Sequence, residues 1–272
     1  MVEKLLIDIH SGRDAVRNLS LESPDALLDE IRRLNQCGVG NVRLDGARLS
    51  GSSLRGLLLQ GASFTGAQLK SVDFADAEVE GAWFDSAEFV DVVMREQRIE
   101  GASFHLSMLK AVTLERALID AVNFQKARVI ACSFRQARIN DTNFAGAMLE
   151  SSDFTGAGLK NCSFSGAAVK DSCFQETTLL HTILQAKQMQ SGSFDRAEIV
   201  ECNLSDMDLR SCSFDGTTFR RCNLQGADFS GIDLSRATFT EVNMRNAILR
   251  GCRLPVNTFH NCDLAGVSVD SG

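Results

Sequence analysis

Large apolar residues recur at every fifth position of this chain. The series starts Leu44, Leu49, Leu54, Leu59, Phe64, Leu69, Phe74, Val79, Phe84, Phe89 and ends Phe239, Met244, Leu249, Leu254, Phe259, Leu264, Val269. Every member is Leu, Phe, Ile, Val or Met, the register never slips, and all 17 Phe of the chain fall in the series. Two residues earlier a second column is compact, as at Ala62, Ala67, Ala127, Cys132, Ala137, Cys162 and Ala167. The residue just before the large one is often Asn, Asp or Ser, and the residue two after it is often Gly. A helix repeats its apolar positions at 3.6 and a strand at 2, so neither explains the pattern. A period of five predicts a coil with a corner every five residues. Each side then points one large and one small residue inward, because the crowded interior has room for only one bulky group per side.

The chain before Leu44 follows another rule. Pro24 suits a first helical position after the N-cap Ser23, Asp25 suits the helix dipole, and Ala26, Leu27, Ile31 and Leu34 share one helical face. A helix is predicted over about 24–36, ended by Gly38. Leu5, Ile7 and Ile9 alternate with charged or polar neighbours and suggest a short strand. Residues 1–38 thus form a small α/β cap, needed because an open solenoid end exposes core and unpaired backbone; a separate recognition module is the other reading. Residues 39–272 form the repeat region.

Stretches such as Ala-Asp-Phe-Ser-Gly at 227–231, Cys-Asn-Leu-Gln-Gly at 222–226 and Ser-Asp-Phe-Thr-Gly at 152–156 resemble the pentapeptide-repeat family, over about residues 40–270. The resemblance implies an all-β fold, a right-handed four-sided parallel β-helix with four repeats per coil. That is a solenoid of about 11–12 coils, about 55 Å long at the spacing of stacked strands. A coil of four repeats puts Phe64, Phe84, Phe104, Phe124, Phe144 and Phe164 in one stack. Phe134, Phe154, Phe174, Phe194 and Phe214 form a stack opposite, and Phe219, Phe239 and Phe259 a third.

Composition and charge narrow the chemistry. Hydrophobic residues make up 44% of the chain, enough for a core, and the net charge is −7. That balance disfavours direct, counterion-driven nucleic-acid binding. No run is long enough for a membrane span, and the N-terminus has no signal-peptide pattern, so a cytoplasmic protein is expected. Seven of the nine Cys (132, 162, 202, 212, 222, 252 and 262) sit in the small inward column, which reads as core thiols and not as a metal or disulfide set. The four His are scattered and the Gly residues follow the corners, so no cofactor, metal site or catalytic group is expected.

What remains is the outward surface. Lys70, Lys110, Lys170, Arg210 and Arg250 share one outward column, and Glu80, Glu100 and Asp120 another. Val90, Met108, Ile130 and Met148 fall on one face over four successive coils, beside Lys70 and Lys110, with Leu106 at the adjacent corner. They are the candidate partner face, since exposed apolar patches mark interaction sites. Trp83 falls in another outward column and can anchor a contact. Gln97, Lys187 and Asn257 break the small inward column, and bulges are expected at 95–99, 185–192 and 255–258.

The expected function is a non-enzymatic interaction scaffold with a protein partner. The resemblance implies two alternatives, a DNA mimic acting on DNA gyrase or another topoisomerase, and a secreted bacterial effector. Against the mimic stand a negative charge not gathered in one stripe, the basic column, and an unbroken register with no projecting loop. The chain ends within the repeat, and several members of the family dimerise end to end, so a homodimer through the C-terminal coils is expected.

Overall fold

The computed structural model describes residues 24–254 and 259–270. They form a helix, α1 (Pro24–Gln36), followed by a parallel β-solenoid of short strands. The proposed strand at Leu5–Ile9 and the N-cap Ser23 lie outside the described residues, as do Pro255 and Asn257.

Helix α1 has one strongly apolar face. Leu27, Leu28, Ile31 and Leu34 are buried and belong to the same hydrophobic cluster as the first coils. The helix ends as an αL cap, with Gly38 at φ 74 and the Val39 N–H donating to Leu34 O at 3.1 Å. Asn35 joins it to the solenoid. Its Nδ2 donates to Leu58 O at 2.9 Å, and its Oδ1 accepts from the Leu58 N–H at 2.8 Å. One side-chain amide thereby satisfies a backbone donor and acceptor on the edge of the first coil, as a neighbouring strand would.

Each residue pairs with the one 20 positions on. Arg48–Ser50 lies beside Gln68–Lys70, with Leu49 opposite Leu69. Eight strands, from Arg48–Ser50 to Gln188–Gln190, stack into a first sheet. Nine, from Arg98–Glu100 to Phe259–His260, stack into a second sheet half a coil away. The two remaining sides are held by single parallel bridges, such as Ser63↔Trp83↔Ser103 and Ser133↔Asp153↔Cys173. Hydrogen bonds run from coil to coil, as from the Phe104 N–H to Asn123 O (2.7 Å) and from the Asn123 N–H to Ala102 O (3.0 Å).

The five-residue period has a backbone cause. The corner residue two after the large one has φ near +50° to +80° at almost every repeat, whether or not it is Gly. Gly66, Gly101 and Gly146 adopt this left-handed conformation freely, whereas Asp91, Gln136 and Leu106 adopt it at a cost of about 1 kcal/mol each.

Inside, the large residues fill the axis. Phe64, Phe84, Phe104, Phe124, Phe144 and Phe164 stack with ring centroids 4.8 to 5.0 Å apart. Phe134, Phe154, Phe174, Phe194 and Phe214 stack at 4.5 to 5.3 Å. The two stacks meet edge to face across the axis, as at Phe144–Phe154 (6.3 Å, 83°). Phe219 and Phe239 stack at 4.9 Å, and Phe259 follows at 5.1 Å with a 30° tilt.

The irregular positions divide. No bulge forms at 95–99, which corrects the expectation there. Gln97 stays inside at 4% exposure, its turn and strand regular, and its Nε2 donates to Ala77 O. Its Oε1 is buried without a hydrogen-bond partner. At 185–188 the wall does open. Ala186 leaves the left-handed conformation, the turn is lost, and Lys187 is exposed. The longer cationic chain escapes to water, where a charge costs least, while the neutral amide is held by one backbone acceptor.

Two stability changes are expected. Phe144→Ala removes a ring with two stacked and two edge-on neighbours and should cost about 3–5 kcal/mol in denaturant unfolding. Gln97→Ala removes the unpartnered oxygen but also the donor to Ala77 O and leaves a small void, so the effects offset and the unfolding free energy should change by less than about 1 kcal/mol.

Candidate partner face

The outward side chains of the first sheet stand in two columns, set by the strand register. One reads Arg48, Gln68, Glu88, Met108, Arg128, Met148, Ala168 and Gln188. The other reads Ser50, Lys70, Val90, Lys110, Ile130, Glu150, Lys170 and Gln190. Val90, Met108, Ile130, Met148, Lys70 and Lys110 therefore share one face, with Met108 and Ile130 in different columns. Apolar and cationic residues alternate along the rod and across each strand, as Met108 with Lys110 and Arg128 with Ile130. Met148 is exposed, and Val90, Met108 and Ile130 are half-buried against their neighbours.

Leu106 sits at the corner leading into this sheet. Its φ is 59° and it is 53% exposed. Among the described left-handed corners the other non-Gly residues are Ser, Asp, Glu, Asn, Gln, Ala, Lys, Arg or His, and Leu106 alone is large and apolar. The backbone there thus holds a strained, water-facing leucine where Gly or Asn would be cheaper. Trp83, also 53% exposed, lies around that corner on the adjoining side, between Ser63 and Ser103. The structure does not bring it onto the sheet with Met108.

Charges elsewhere on the rod are largely paired. Arg98 bridges Glu80 at 3.3 Å and Glu100 at 2.6 Å. Arg210, from the basic column, pairs with Asp208 at 2.7 Å and Asp228 at 3.5 Å, and its hydrogen bond holds the Asp208 carboxyl below the usual carboxylate range. Lys170 pairs with Glu150 at 3.4 Å. Reading outward columns in isolation missed Lys126 and Arg128, which flank Leu106 and Met108 one coil on. The register shows them once every pair 20 apart is set side by side.

The repeat region matches the family model for pentapeptide repeats, in 8 copies, over residues 43–81, 119–156, 130–166, 143–179, 193–226 and 219–254, more than half of the chain. No curated protein matches it. Similar solved structures are HetL, a pentapeptide repeat protein involved in heterocyst differentiation regulation from the cyanobacterium Nostoc sp. strain PCC 7120, and full-length QnrB1, a plasmid-mediated fluoroquinolone resistance protein. HetL is 19% identical over 88% of this chain and 93% of its own, with a TM-score of 0.34. QnrB1 is 16% identical over 83% of this chain and 94% of its own, with a TM-score of 0.31.

The thiols are the remaining chemistry. All nine Cys are free, and among the described residues no group of three or more His, Cys, Asp or Glu could hold a metal. The inward thiols act as corner ties. Cys132 Sγ lies 3.5 Å from Leu109 O and 3.4 Å from Ile130 O, and Ser152, one coil on, makes the same pair of bonds with its hydroxyl. Burial pushes the thiol of Cys132, Cys212 and Cys222 up to about 11 and that of Cys162 and Cys202 up to about 12. A raised folded value favours the neutral thiol. Its contribution to stability is complete below the unfolded value of about 8.5 and is lost as pH climbs towards 11–12. The melting temperature should therefore show no thiol-linked loss between pH 6 and 8 and fall above about pH 9, and substituting these five Cys by Ser should flatten that fall.

Proposed function

The chain belongs to the pentapeptide-repeat family, and from that premise we propose that it is a non-catalytic interaction rod that offers its first sheet to a protein partner. Leu106 carries this reading. An apolar side chain half in water, on a backbone conformation that disfavours it, gains nothing within the chain and gains contact area against another molecule. Met108 on the same coil, and Ile130 and Met148 on the next two, continue the patch. A non-catalytic role is supported by the shape of the surface, whose concavities are open grooves such as that of about 500 Å³ lined by Arg55, Glu78 and Gln97. Free thiols suit a cytoplasmic setting. Among the described residues no helix is long and apolar enough to cross a membrane.

The last described coil supports a homodimer through the C-terminal coils. Leu254, Leu264 and Val269 occupy central positions that are buried elsewhere, yet all three are exposed, and Phe259 is only partly covered. We place the contact of the proposed homodimer on these exposed apolar residues. A topoisomerase partner reached by DNA mimicry is the weaker reading, because the unpaired cations of the first sheet oppose it.

Replacing Leu106 by Gly and Met108, Ile130 and Met148 by Gln should leave the melting temperature unchanged or raised, and should abolish partner capture from the native host. Capture equal to that of the natural chain would refute the assignment of this face. Light scattering at micromolar concentration should give twice the monomer mass of 29.6 kDa, and Leu264→Glu should return it to the monomer. Inhibition of gyrase supercoiling at low micromolar protein would favour the mimic.

A further inference from the structure

The patch on the first sheet has a charge of its own, opposite to that of the chain. The two successive coil segments 105–111 and 125–131 contain Leu106, Met108 and Ile130, and with them Lys110, Lys126 and Arg128. Neither segment contains an Asp or Glu. None of the three cations has an ion-pair partner among the described residues, although the chain carries −7 overall and Lys170, further along the same sheet, pairs with Glu150. The register places Lys110 next to Ile130 and Arg128 next to Met108. Each apolar group on these two coils thus has a cation beside it.

We propose that the partner segment received by this sheet carries acidic and apolar residues in turn along one face of an extended chain, an acid at one position and an apolar residue two positions on, so that its carboxylates meet Lys110, Lys126 and Arg128 while its apolar side chains cover Leu106, Met108 and Ile130. The inference rests on the assignment of the first sheet as the partner face. Two neighbouring features select a peptide over other anions. The coil before, at 85–91, carries Asp85, Glu88 and Asp91, so the positive patch is bounded by a negative row. A continuous polyanion such as nucleic acid, or an anionic lipid surface, would lie across both rows and be repelled by the second, whereas a peptide can place its charges locally. No aromatic side chain projects from the two columns of this sheet, so bases have nothing there to stack on. The flat strands also suit an extended segment, whose alternate side chains point the same way at a spacing of about 7 Å.

The test uses the full chain and a labelled peptide repeating Glu-Ser-Leu-Ser, which sets Glu and Leu in turn on one face when extended, read by fluorescence anisotropy. The peptide should bind, with affinity falling as salt is raised, and the same peptide with Lys for Glu should not. K110E/R128E should weaken binding by about tenfold or more while leaving the melting temperature unchanged. Absence of binding by the Glu–Leu peptide, or binding that K110E/R128E leaves intact, overturns the acidic assignment. Tighter binding of oligothymidylate or of phosphatidylserine vesicles than of the peptide overturns it as well. The variant L106G/M108Q/I130Q separates the two readings. If it retains the peptide as the natural chain does, the face itself is wrong; if it loses the peptide while K110E/R128E keeps it, only the acidic chemistry is wrong.

Discussion

The whole rod depends on one repeated backbone event, a corner residue in the left-handed conformation every five residues. That corner turns the chain by one side of a square and brings residue i beside residue i+20, so the coil-to-coil hydrogen bonds close. It also points one residue of each side straight at the axis. Four such residues per coil leave no lumen, and the Phe stacks at about 5 Å are the axial spacing of the coils made visible in side chains. At Ala186 the corner conformation and the turn are both lost and Lys187 swings outward, whereas Ser211 and Arg236 keep a turn without the left-handed conformation.

The central inward column was legible in the sequence because its constraint is absolute. A polar or oversized residue on the axis has nowhere to go, so the period of Leu, Phe, Ile, Val and Met runs without a gap, and the Phe stacks follow by counting in twenties. The corner residues were legible only in part. Gly66 and Gly101 announce a left-handed turn, but Asp91, Gln136 and Leu106 do not, since the conformation there is imposed by the ladder and not by local preference. Asn35 was invisible for a related reason. Its role in pairing with Leu58 depends on where helix α1 ends relative to the first coil, which no local pattern encodes. Gln97 was misjudged because a long amide can stay within the wall if one end finds a carbonyl, whereas the cation of Lys187 cannot.

The partner face was legible as a set of apolar residues and not as a pattern of charge. Met108, Ile130 and Met148 stand out against a polar surface. Lys126 and Arg128 do not, because nearly every repeat carries a charge outward, and what sets these two apart is that the segments 105–111 and 125–131 hold no Asp or Glu. That absence is a property of three coils at once. It depends on Glu150, beside Ile130 in the register, being taken by Lys170.

A solenoid of this kind separates stability from recognition more cleanly than a globular domain does. Its inward positions are filled by a repeating rule, and its outward positions are free to vary because the backbone ladder and the axis already hold the coil. A residue that breaks the outward rule at an energetic cost is therefore informative in a way that an ordinary exposed leucine is not. Leu106 breaks it by placing a large apolar side chain on a left-handed corner, and it lies on the same coils in which Lys110, Lys126 and Arg128 lack counterions. Solubility alone explains neither the strained leucine nor the unpaired cations. A partner that covers the one and neutralises the other explains both.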